Sequence, residues 1–225
     1  MCARVTLTVD DIEELAEMLD AELSSEDARR YKPRFNVAPS DVHWIVEYGA
    51  DRRVLAPAKW GYVPTSPPGR TRKPLINVRG EQVGAGHGFH RAFETRRCAV
   101  VTDGFFEWDT QRHPFWYHRT DGGLVLLAGL YQDALAGDPD ARFTVLTTRP
   151  NKLIAAVHDR MPVIVPQVRL DDWLTAAPAE AAALIRPAPE DELIATPVSR
   201  RVNSVSNDDA GCLAPPEAEA QGSLF

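Results

Sequence analysis

Cys2 directly follows the initiator methionine in the opening stretch MCARVTL. Removal of Met1 would leave one residue carrying both a free thiol and a free α-amine. The plainer reading is that Cys2 merely starts a strand that continues as VTLTV. Glu107 stands between Phe106 and Trp108 in GFFEW. A carboxylate beside aromatic rings loses solvation, which raises its pKa and suits it to proton transfer. A surface glutamate next to core aromatics fits the same pattern. His158 falls after a predicted helix and before a predicted strand in VHDRMPVIV, with Asp159 and Arg160 beside it. It is either a hydrogen-bonded packing residue or part of a cluster of ionisable groups. Strand alternation in INVRGE puts Asn77, Arg79 and Glu81 on one face and Ile76 and Val78 on the other. A half-exposed strand explains that pattern as well as a site does. Asn36 lies in RFNVAPS, which reads as a proline-restricted loop.

The elements that must position these residues are short. VTLTV at 5–9 alternates and predicts a strand. DDIEELAEMLDAEL at 10–23 carries Ile12, Leu15, Leu19 and Leu23 near helical spacing, with Asp10 or Asp11 as cap. HWIVEY and RRVLAPAKWGYVP predict strands joined at GAD, and TSPPGRTRKP at 65–74 predicts a loop. A short helix is expected over 90–95. RRCAVVT predicts a buried strand ending at Asp103-Gly104. HPFWYHR and LVLLAGLYQ predict two strands separated by TDGG, and RFTVLTTRP another. Helical turns are expected over 151–157 and around the prolines of DDWLTAAPAEAAALIRP. Regular strand–helix alternation is missing, as are internal repeats. The expected fold is therefore mixed α+β, with a β-rich, barrel-like core and four or five short helices. GxxxxGK, GxGxxG and GxSxG are all absent, which removes the local support for nucleotide-fold and hydrolase-elbow readings.

At 225 residues the chain fits one large domain, expected over 1–210 with a polar tail at 211–225. No run approaches 18 apolar residues, so no membrane partner is expected. The start lacks a basic stretch followed by an apolar one, and an intracellular protein is the default. Cys2, Cys98 and Cys212 are far apart and form no zinc pattern. The net charge of −7 disfavours nucleic acid on its face, but the average hides a pattern. Residues 10–27 hold nine acids and no Lys or Arg, whereas residues 51–120 hold twelve Lys/Arg against six Asp/Glu. Screening makes phosphate binding depend on nearby charge, so a local basic face can serve an acidic protein.

Seven stretches occur in an order that resembles one family: MCAR, RFNVAPS, AKWGYVP, KPLINVRGE, RRCAVVTDGFFEW, AGLY and HDRMPVIV. The chain resembles, to about residue 210, the SRAP family of SOS response-associated peptidases, also called abasic-site processing proteins. The resemblance implies an SRAP-like fold and a covalent crosslink between Cys2 and an abasic site in single-stranded DNA. It implies Cys2 as nucleophile, Asn77 as the holder of the sugar, Glu107 as proton shuttle and His158 as stabiliser of the opened sugar oxygen. It implies DNA contacts at Arg4, Asn36, Pro39, Trp60, Arg79 and Arg160. Trp60 could stack on a base or belong to the core. The implied partner is single-stranded DNA containing abasic sites, with a single-strand/double-strand junction as one place where it would be met. The implied protein is a bacterial cytoplasmic monomer, nucleoid-associated when bound to damage, with no cofactor and no metal. The alternative implied by the family name is a cysteine-type peptidase, with self-removal of Met1 as its narrowest form.

Elementary chemistry gives the same product. An α-amine with a pKa near ~8 is partly neutral at pH 7 and condenses with an aldehyde to an imine. The thiol of the same residue then closes a five-membered thiazolidine, favoured by proximity. Cys98 and Cys212 have no free amine. The chain departs from the family pattern at Ala3, which stands where MCGR is usual and removes a glycine's freedom. It departs also at Val78 (usually alanine) and Phe106 (usually tyrosine). None of these carries a reacting atom.

Overall fold

The run RRCAVVTDGFFEW crosses the molecule from one sheet to another. The computed structural model describes residues 3–64, 73–84 and 88–217. Strand β7 (Arg97–Thr102) lies in one sheet and β8 (Gly104–Trp108) in a second, with Asp103 at the crossing. The Asp103 carboxylate accepts from the Thr8 backbone N–H and the Thr8 hydroxyl, both at 2.6 Å, and from the Thr6 hydroxyl. That clasp fixes β1 (Val5–Leu7) beside β8, with Val5 opposite Phe105.

The first sheet is a closed barrel. Its strands are β4 (Val42–Tyr48), β5 (Arg53–Trp60), β7, β10 (Val125–Gln132) and β11 (Ala141–Thr148). Four antiparallel pairings run β5–β4–β7–β10–β11. A parallel pairing of β11 with β5, from Ala141 opposite Ala58 to Phe143 opposite Trp60, completes the ring. Closure removes unpaired edges. Three short strands add to it: β2 (Ala21–Glu22) on β5, and β6 (Asn77–Arg79) and β12 (Met161–Pro162) on β11. The second sheet has the order β13-β9-β8-β1-β3, with β3 (Arg34–Val37), β9 (Pro114–Arg119) and β13 (Leu193–Pro197).

β7 is buried at all six positions because it is covered on both faces. Cys98 and Val100 join a core shared with Val5, Phe105 and Tyr117 of the second sheet. Ala99 and Val101 join another, with Leu15, Leu19, Phe93 and Trp173 from the helices. The α+β, barrel-cored expectation holds. The strands on either side of TDGG form no hairpin: β9 enters the second sheet and β10 the barrel. The helix expected over 10–23 covers only Ile12–Met18, capped by Asp11. Asp20 takes a positive φ of 47°, and Ala21–Glu22 then pairs with Arg53–Val54. A further helical turn at Ser25–Ala28, not foreseen, brings the short α-helices among the described residues to six. Packed chain also runs past residue 210: Cys212 is fully buried, and the Ala214 carbonyl accepts from the Ser199 N–H. No described helix is long and apolar enough to cross a membrane. Most of the loop predicted over 65–74 lies outside the described residues, as do residues 218–225.

Candidate active site

β8 alternates, so Phe105 and Glu107 share its inner side while Phe106 packs outward against Val198 and Val202. Phe105 stacks on Tyr117 at 5.3 Å, and Glu107 is only 3% exposed at the end of this apolar row. Burial pushes its carboxyl up from 4.5 to about 7. The positive amino terminus opposes that rise, and the negative charge of Asp159 adds to it.

The start of the chain runs alongside. The Phe106 N–H donates to the Arg4 carbonyl at 3.0 Å, continuing the antiparallel register of β1 on β8. Cys2 lies outside the described residues.

His158 follows the helical turn Lys152–Ala155, where its N–H donates to the Ile154 carbonyl at 2.9 Å. Its Nδ1 accepts from the Arg160 N–H at 2.9 Å, so the neutral ring carries its proton on Nε2. Asp159 lies 3.0 Å from the same nitrogen, a contact that becomes an ion pair only on protonation. Burial, helped by the positive amino terminus, lowers the imidazole pKa and favours the neutral ring. Glu107 and His158 thus share two electrostatic neighbours, Asp159 and the amino terminus.

Asn77 opens β6, which runs parallel to β11 with Asn77 beside Val145 and Arg79 beside Thr147. Arg79 is exposed. Arg160 reaches into the same strand pair. It holds both Glu81 oxygens, at 2.9 and 2.7 Å, and donates to the Thr147 carbonyl at 2.6 Å. Burial classes and partners separate the remaining predicted contacts. Asn36 lies on strand β3, not in a loop, and is fully buried. Its amide donates to the carbonyls of Val202, Ser204 and Asn207. Arg4 donates to Asn36 Oδ1 and to the Val202 carbonyl, each at 2.8 Å, and its guanidinium lies 5.8 Å from the Trp108 ring centre. Asn36 and Arg4 therefore tie β1 and β3 to the segment 202–207. Pro39 is half-buried in the turn after β3, where the Ser40 N–H donates to the Trp60 carbonyl. Trp60 is 1% exposed and stacks on Phe143, leaving no face for a base. Its Nε1 donates to the Ile76 carbonyl, so it supports the strand that presents Asn77.

Two partners escaped the sequence reading. Glu81 neutralises Arg160 across 79 residues of chain. Asp208 accepts from the Phe35 and Asn36 N–H groups and pairs with Arg34. Each contact joins segments too far apart for spacing to reveal. Among the described residues, no three His, Cys, Asp or Glu side chains come together as a metal site.

The family model for SOS response associated peptidase (SRAP) matches residues 1–205. The chain belongs to the SRAP family. A curated relative, abasic site processing protein YoqW of Bacillus subtilis, is 30% identical over 221 residues, covering 92% of this chain and 96% of the relative. Abasic site processing protein YoaM of the same organism is 32% identical over 196 residues, covering 81% and 85%. A crystal structure of a protein from Bacteroides thetaiotaomicron superposes with a TM-score of 0.81 at 20% identity, covering 95% of this chain and 99% of that one. That likeness shows that the two chains share this fold.

Proposed function

We propose that this SRAP chain is an abasic-site processing protein that binds single-stranded DNA and links Cys2 covalently to the opened sugar. The observation that supports it best is the protonatable, buried Glu107 beside the start of the chain, with His158 sharing its electrostatic surroundings. The names of the relatives point the same way.

His158, neutral with its proton on Nε2, donates a hydrogen bond to the ring oxygen as the C1–O ring bond breaks; the C1 hydroxyl proton passes to that oxygen and the aldehyde is left. After Met1 is removed, the Cys2 amine attacks the aldehyde carbon and forms a carbinolamine. Glu107 donates a proton to the departing oxygen, which leaves as water, and an imine remains. The Cys2 sulfur adds to the imine carbon, the nitrogen takes up a proton, and the thiazolidine closes. One water is lost overall. Glu107 in its acid form reprotonates the ring on the reverse path. Asn77 holds the sugar, and Arg79 presents its guanidinium to a flanking phosphate. Arg4, Asn36, Pro39, Trp60 and Arg160 shape and brace the strand path through the contacts described above.

Cys2→Ser tests this reading. A serine closes only a less stable oxazolidine, so covalent retention of an abasic oligonucleotide on a denaturing gel should vanish. Salt-sensitive binding of undamaged DNA should stay within about threefold, because that term comes from phosphate contacts. Undiminished covalent retention by the serine variant would refute the assignment.

A further inference from the structure

Arg149 and Arg186 flank a groove of about 670 Å³ next to the candidate site. Both are exposed, and neither has a carboxylate partner among the described residues. Lys152 lies on the same rim and meets the only acid there, Glu190, at 3.4 Å with its side chain 88% exposed. The groove is built rather than incidental. Asn151, 8% exposed, caps the helical turn through Ile154 N–H and donates from Nδ2 to the Ala188 carbonyl. That bond ties one wall to the other, and Pro150, Pro187 and Pro189 stiffen both.

Its position connects it to the site. Arg79 sits beside Thr147 in the β6–β11 pair, and Arg149 comes two residues later, just past the end of β11. Two residues of extended chain span about 6.6–6.8 Å, comparable to the phosphate spacing of a single strand. On the other wall, Gly80 packs so closely on Ile185 that an added Cβ would come within 2.3 Å of its Cγ2. That contact packs Ile185, the residue before Arg186, against Gly80, the residue after Arg79. Three cations against one acid is a concentrated charge in a chain of net charge −7.

We infer that this groove is a second phosphate-binding subsite, through which the backbone of single-stranded nucleic acid continues from Arg79 across Arg149 and Arg186. The inference rests on the proposed DNA-binding role and extends it to residues outside the reacting cluster. Two unpaired guanidiniums present forks that match phosphate oxygens.

The test measures binding of an undamaged single-stranded oligonucleotide by fluorescence anisotropy across a salt series. Loss of two phosphate contacts in Arg149→Ala/Arg186→Ala should flatten the slope of log K against log salt by about 1.4, at roughly 0.7 per contact. Arg149→Lys/Arg186→Lys should restore most of that slope. A control pair on the far surface, Arg52→Ala/Arg169→Ala, should leave it as in wild type. A slope equal to wild type in the alanine pair, or an equal loss in the control pair, overturns the subsite. A slope that changes only with duplex DNA would replace the single strand by a double-stranded arm and also overturns it. Undamaged DNA keeps this result independent of chemistry. A wild-type protein that never crosslinks abasic DNA would refute the proposed function while leaving the salt slopes readable.

Discussion

Glu107→Gln is expected to slow crosslink formation by roughly 10²–10³-fold, within the range for loss of one positioned acid–base group. The amide preserves the size and much of the polarity of the side chain but cannot deliver the proton that expels water from the carbinolamine. The pH profile should change with it. Burial raises the Glu107 carboxyl to about 7, so its acid form is depleted above that pH while the fraction of neutral Cys2 amine still grows. Wild-type formation should therefore rise and then fall with pH, and the variant should lose the falling limb. Stability should move the other way. A carboxyl whose folded pKa lies above its unfolded value binds more protons in the folded state between the two values. Wild-type stability consequently declines as pH rises from about 4.5 through about 7. Replacing the carboxylate should stabilise the fold at pH 8 by roughly 1–3 kcal/mol, read as a higher denaturation midpoint. Equal rates for the two proteins at every pH would remove Glu107 from the proton-transfer role.

Arg97→Met is expected to cause the largest loss of stability of any change away from the site. Arg97 is 4% exposed, and its guanidinium donates to the carbonyls of Phe93, Glu94, Trp173, Leu174 and Ala176. These carbonyls belong to the last turns of the helices His90–Thr95 and Leu170–Thr175 and to the residue that follows the second. Last-turn carbonyls have no partner within their own helix and attract positive charge. Methionine matches the stem but leaves several buried acceptors unsatisfied. The expected cost is roughly 3–5 kcal/mol, or a fall of about 10 °C or more in Tm for a domain of this size. A Tm within about 2 °C of wild type would show that water or neighbouring donors replace the guanidinium.

The barrel was readable because its strands are unusually plain. CAVV and LVLLAGLY are apolar on both faces, as strands covered on two sides must be, and the breaks at Asp103 and TDGG mark where the chain leaves one sheet for the other. The sequence could not show which sheet each strand enters, since register is set by partners far away in the chain. The parallel closure of β11 on β5 and the Asp103 clasp on Thr6 and Thr8 are of that kind. For the site, Glu107, His158, Asn77 and Arg79 stood out because polar residues sat where strands should end. Trp60 stayed open between a stacking and a core reading because indole exposure cannot be judged from composition, and its ring proves to be core. Arg4 and Asn36 were legible as important residues, but their bonds to 202–207 needed the fold.

The central claim is a covalent bond made by an amine and a thiol of one residue, and intact mass tests it most directly. Purified protein should already lack Met1. After mixing with a single-stranded oligonucleotide carrying one abasic site, a new species should appear at the summed mass less one water and survive denaturation without a reducing agent. A correctly trimmed, folded protein that gives only the two separate masses would contradict the account.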